Sequence, residues 1–139
     1  MSRSSLSEPT SDDAKQERNS WVAEVERLAA DVERWASTRD WAVRRDLKNF
    51  TEDRIGTYQL PVLTVLTSLG RVVFEPVARF VAGGSGRIDL YAFPSVSQVV
   101  LVRRGRRWVF LADSDHSDLG RRWKESDFVK TVSELQAAA

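Results

Sequence analysis

Between Gly56 and Asp113 the chain alternates short β-branched apolar runs with glycine-bearing turns. An antiparallel meander is the arrangement that joins such runs by the shortest connections. The turns fall at Leu69-Gly70, at Gly83-Gly84-Ser85-Gly86 and at Arg104-Gly105-Arg106. From Tyr58 the runs are Val62 to Leu66, Val72 to Glu75, Arg79 to Ala82, Arg87 to Phe93, Gln98 to Arg103 and Arg107 to Ala112. Pro61 reads as a residue near a strand start, and Pro76 as a break, a bulge or an edge, because proline lacks the N–H a ladder needs. In the run after Gly86, Ile88, Leu90 and Ala92 take one face while Asp89, Tyr91 and Phe93 take the other. Trp41, Val43, Arg45 and Leu47 alternate too, so a first strand is expected over 41–49, with Thr51 to Asp53 in an exposed loop.

A meander of this kind has one face to bury, and both flanks of the chain carry a matching surface. Over residues 12–37, Trp21, Val25, Leu28, Val32 and Trp35 fall on one helical stripe. Thr10 and Asp13 fit a capping box, and Asp12 and Asp13 suit the positive end of the helix dipole. Glu24–Arg27 and Asp31–Arg34 have the spacing of ion pairs on the wet face. Near the C-terminus Phe128, Val132 and Leu135 form a second stripe, with Ser126 as the expected N-cap. The expected fold is α+β: an N-terminal helix, an antiparallel meander of five to six strands and a C-terminal helix, the helices packed on one face of the sheet. Residues 1–11 read as a disordered lead-in and residues 12–139 as a single domain.

Composition narrows the chemistry. The 139 residues include one histidine and no cysteine. That removes a disulfide framework, a thiol nucleophile and a cysteine-based zinc site. Met1 to Asp13 lacks the basic-then-apolar layout of a secretory signal, and no run is long and apolar enough to span a bilayer. These features favour the cytoplasm. The net charge is +1, with residues 1–40 holding six Lys/Arg against nine Asp/Glu. The helical N-terminal part is therefore mildly acidic and the β part mildly basic.

Four constellations invite a catalytic or ligand-binding reading, and each falls short of its pattern. Asp113, Asp115, Ser117 and Asp118 resemble a divalent-cation loop. The glycine comes at Gly120 rather than at the sixth position, and Lys124 stands where an EF-hand closes with glutamate. No bound metal is expected there. His116 lies near Ser114 and Ser117, but no Gly-x-Ser-x-Gly elbow accompanies it. Gly83-Gly84-Ser85-Gly86-Arg87 joins two strands, so no helix N-terminus faces it as in a P-loop. Glu75 and Asp89 sit in adjacent hairpin regions, with Glu52 and Asp53 upstream. In this they resemble restriction-type nucleases, which hold magnesium with an Asp and a Glu-x-Lys on neighbouring strands. The resemblance covers one hairpin and lacks the Glu-x-Lys, so Asp89 is expected to pair with Arg87, Arg79 or Arg71 instead. No cofactor is expected.

The strongest candidate is a basic, aromatic cluster: Arg103, Arg104, Arg106, Arg107 and Trp108 on one hairpin, then Arg121, Arg122 and Trp123 beyond the acidic loop. Arginine and tryptophan are the residues that anchor protein interfaces. Arginine beside aromatics also holds phosphates and stacks bases. The expectation is a non-enzymatic protein-binding module, an accessory or immunity-type partner of another protein. The first alternative is a nucleic-acid-binding accessory protein using the Arg/Trp hairpin, and the second a degenerate or divergent metal-dependent nuclease-like domain.

Overall fold

The structure is a computed structural model and describes residues 11–79, 85–92, 97–111 and 122–138. Its order is α1 (Ser11–Ser37), β1 (Ala42–Glu52), β2 (Gly56–Thr67), β3 (Gly70–Ala78), β4 (Arg87–Ala92), β5 (Gln98–Arg104), β6 (Arg107–Leu111) and α2 (Glu125–Ala138). The six strands form one antiparallel sheet in sequence order, β1-β2-β3-β4-β5-β6. Both helices pack on one face of it, as the apolar patterning predicts.

That face follows from strand alternation. Leu63 and Val65 of β2, Val72 and Phe74 of β3, Ile88 and Leu90 of β4, Leu101 of β5, and Trp108 and Phe110 of β6 join one buried cluster. Val25, Leu28 and Val32 of α1 and Phe128, Val132 and Leu135 of α2 enter the same cluster. Ala29 and Ala36 widen the α1 stripe. Trp35 is only half-buried, because it stands at the margin of the helix–sheet contact rather than within it.

Three local expectations need correction. The first strand runs to Glu52, not to 49, since the β1–β2 register is unbroken from Ala42↔Leu66 to Glu52↔Gly56. Phe50 stacks on Tyr58 at 5.3 Å and holds that end of the hairpin closed. Pro61 is mid-strand; the β2–β3 ladder stops at Leu63↔Phe74, so no β3 partner faces it. Helix α2 starts at Glu125, one residue before the expected cap Ser126. Lys124 takes the cap position, and the Asp127 carboxylate reaches back to accept its backbone N–H at 3.2 Å.

Pro76 does produce an irregularity, a register shift between Pro76 and Ala78. Beyond Pro61 the β1–β2 hairpin curls toward the N-terminal half of α1. Tyr58 thereby reaches Trp21, whose Nε1 donates to the Tyr58 hydroxyl at 3.2 Å. The hydroxyl in turn donates to Glu52. Trp21 is fully buried and lies against Gly86, where a Cβ would come within 2.3 Å of the indole. The glycine-rich turn before β4 therefore contains one glycine required for close packing; Gly83 and Gly84 lie outside the described residues.

Candidate functional site

Helix α1 and the end of the sheet enclose an open groove of about 440 Å³. From α1 it takes Glu24, Arg27, Leu28, Asp31 and Trp35, residues spaced so that they line one side of the helix. The opposite wall is Arg106, Arg107 and Trp108 of the β5–β6 hairpin together with Arg122, Trp123 and Lys124. Those two stretches meet because the chain returns along the sheet edge. Trp123 donates its backbone N–H to the Trp108 carbonyl at 2.8 Å, and Arg122 bridges to Val109.

The floor is aromatic and tightly packed. Trp123 touches Phe110 at 5.6 Å and Trp35 at 6.4 Å between ring centroids, while Trp108 lies against Trp21 at 6.0 Å. Trp108 and Trp123 are 9% and 6% exposed, so their ring faces are spent on the core. The Trp123 Nε1–H is buried and has no hydrogen-bond partner among the described residues. Trp35 is the half-buried aromatic of the groove.

The rim carries opposite charges in unequal numbers. Arg27 and Asp31 make the helical ion pairs expected from their spacing, Arg27–Glu24 and Asp31–Arg34, each at 2.8 Å, although Glu24 is buried rather than on the wet face. Lys124 lies 3.4 Å from Asp127. Arg106, Arg107 and Arg122 are exposed and make no ion pair or side-chain hydrogen bond among the described residues. Among the described residues, five cations line the groove, Arg27, Arg106, Arg107, Arg122 and Lys124, against two carboxylates, Glu24 and Asp31.

The predicted cluster is thus assembled in part. Arg106, Arg107, Trp108, Arg122 and Trp123 share the groove. Arg103 does not: its side chain points to the helix face, 9% exposed, where Nε donates to the Gly105 carbonyl at 3.1 Å. One of its terminal nitrogens lies 3.9 Å from the Glu24 carboxylate, and burial holds its pKa below the usual arginine value. Arg104 is exposed on the strand facing Arg107, and Arg121 lies outside the described residues. The half of the groove built by α1 was not anticipated. Its only local signal is that Glu24, Arg27 and Asp31 border the stripe that ends in Trp35.

The other constellations resolve differently. Glu75 and Asp89 face each other across β3 and β4. Each is engaged: Glu75 with Lys48 at 2.8 Å and the Tyr91 hydroxyl at 2.6 Å, Asp89 with Arg87 at 2.7 Å. The Lys48 and Tyr91 hydrogen bonds hold the Glu75 carboxyl below its ordinary pKa. Asp113, Ser114, Asp115, His116, Ser117 and Asp118 lie outside the described residues. Among the described residues no cluster of three His, Cys, Asp or Glu side chains has metal-binding geometry. No helix among them is long and apolar enough to cross a membrane. Compared with protein-family models, with curated proteins and with solved structures, this chain finds no match.

Proposed function

We propose that the protein is a non-enzymatic binding module that holds an acidic segment of another protein in the groove between α1 and the β5–β6 hairpin. The observation that carries this reading is the trio of exposed arginines, Arg106, Arg107 and Arg122, set around an aromatic floor and making no ion pair among the described residues. Guanidinium groups so placed suit bidentate contact with carboxylates. The half-buried Trp35 offers the apolar contact an anchor residue needs.

The same geometry weighs against nucleic acid as the ligand. Single-stranded binding depends on aromatic faces open to bases, and Trp108 and Trp123 are buried.

The test is a titration of tryptophan fluorescence with three peptides: acidic with a leucine or aromatic anchor, acidic without one, and basic with one. The anchored acidic peptide should bind tightest and weaken with salt. Arg106→Glu/Arg107→Glu/Arg122→Glu should reduce that affinity at least tenfold, about 1.4 kcal/mol, with unchanged circular dichroism. Tighter binding of an oligonucleotide than of any peptide refutes the reading.

A further inference from the structure

The sheet has two edges, and the structure treats them differently. At β6 the outer edge is met by the returning chain through the Val109–Arg122 bridge. At β1 no described residue pairs with the outer edge, although this strand is 11 residues long. Leu47, at its centre, is 63% exposed, the second most open large apolar side chain among the described residues.

We infer that β1 is a self-association edge, pairing antiparallel with β1 of a second copy about a two-fold axis at Leu47. The register is argued from sequence and length together. Leu47 is the midpoint of Ala42–Glu52, so an axis there pairs every residue of the strand, from Ala42 with the partner's Glu52 onward. In that register Leu47 faces the partner's Leu47, and Asp46 faces the partner's Lys48, twice by symmetry. Arg45 faces the partner's Asn49, and Arg44 the partner's Phe50. No like charges oppose one another. Moving the axis to Asp46 sets Asp46 against itself and Arg44 against Lys48; moving it to Lys48 sets lysine against lysine. Both shifts also leave strand ends unpaired.

Charges on an edge strand ordinarily discourage pairing. Here they are self-complementary and mark a single register. Asp46 and Lys48 remain accessible, with side chains 55% and 40% exposed, although each has a partner within the chain, Arg44 at 3.0 Å and Glu75 at 2.8 Å. The dimer would carry one continuous sheet with the helices of both copies on the same side. The grooves would lie at its two far ends, since β6 is the edge opposite β1.

The chain contains no cysteine, which permits a direct test. Residues facing each other in an antiparallel ladder have Cα atoms about 4.5–5.5 Å apart, within the span of a disulfide. Leu47→Cys should therefore oxidise to a covalent dimer at least tenfold faster than Leu69→Cys, which is 76% exposed in the β2–β3 turn. Sedimentation of the native protein should show a concentration-dependent dimer. Leu47→Lys should remain monomeric with native circular dichroism. A native chain that stays monomeric, Leu47→Cys that crosslinks no faster than Leu69→Cys, or a dimer that survives Leu47→Lys would each overturn the inference.

Discussion

Gly86→Ala adds one methyl group at a site where the backbone would accept it. Gly86 is not among the residues with positive φ, so alanine meets no conformational penalty there. The obstacle is Trp21: the added Cβ would lie 2.3 Å from Cζ3, 2.6 Å from Cη2 and 3.0 Å from Cε3 of the indole. Carbon atoms settle at about 3.5–4.0 Å, so the ring would need to retreat by about 1.2–1.7 Å. It has nowhere to go. Trp21 is fully buried, packed on Trp108 at 6.0 Å and tethered to Tyr58 at 3.2 Å. Overpacking of this kind costs about 1–3 kcal/mol. The lower chain entropy of alanine in the unfolded state returns about 0.4–1 kcal/mol. A net loss of about 1–2 kcal/mol is expected, or a fall in Tm of about 4–8 °C for a domain of this size. The assay is urea unfolding followed by circular dichroism, run as a double-mutant cycle with Trp21→Phe. Phenylalanine lacks the outer ring atoms that the methyl would strike, so in that background the cost of Gly86→Ala should fall to near zero. An equal cost in both backgrounds, or an unchanged Tm in the native one, refutes the reasoning.

The remaining predictions concern the groove and the titrating groups. Trp35→Ala should cost about 1–2 kcal/mol, well below the ~3–5 kcal/mol for a fully buried tryptophan such as Trp21, because Trp35 is only half-buried; the same variant should weaken the anchored acidic peptide at least tenfold in the fluorescence titration. The chain has two tyrosines. Hydrogen bonding to Glu75 pushes Tyr91 up to about 12, and burial with the Glu52 hydrogen bond pushes Tyr58 higher still. Both phenols gain a raised folded pKa, so their stabilisation is whole below the ordinary value of 10.0 and is lost as pH climbs past it. Tyrosinate absorbance should be nearly absent from the folded protein at about pH 10.5, where free tyrosine is mostly ionised; one phenol titrating normally would contradict the hydrogen bond to its carboxylate, and two would contradict both. Glu75 has the opposite sign: its carboxyl is held down by Lys48 and then Tyr91, so its contribution is present above the ordinary value of 4.5 and lost as pH falls below it. Glu75→Gln should therefore flatten the acid limb of the stability–pH curve, measured by urea midpoints between about pH 5 and 3. Arg45 spans from β1 to Glu26 at 2.7 Å and Glu33 at 2.8 Å on α1, with a third of its side chain exposed. Arg45→Gln should cost about 0.5–1 kcal/mol at low salt and less at high salt, as for a partly screened network.

Most of the architecture is legible in the chain because it is set by neighbours in sequence. The alternation of Ile88, Leu90 and Ala92 and the two-residue turn at Gly105-Arg106 each act within a few residues. The stripes Trp21 to Val32 and Phe128 to Leu135 do the same with helical spacing. Tertiary contact moved the boundaries: β1 runs on to Glu52 because Phe50 finds Tyr58 across the hairpin. Pro61 is absorbed mid-strand because the β2–β3 ladder ends at Leu63↔Phe74.

The groove shows the division most clearly. Sequence alone determined that arginines and tryptophans cluster around Gly105 and again near residue 122, since both clusters are contiguous. It could not rank the members. Arg103 and Arg106 are three residues apart and chemically identical, yet Arg103 is buried beside Glu24 and Arg106 is exposed in the turn. Strand parity and the position of α1 make that choice, and both depend on residues some 80 positions away. Gly86 is a second case, reading locally as one glycine of a flexible turn until Trp21, 65 residues earlier, is laid against it. Local periodicity specifies which face of each element is apolar. Only the packing of those faces, which brings distant segments within contact distance, decides which polar side chains are consumed inside the fold and which remain for a partner.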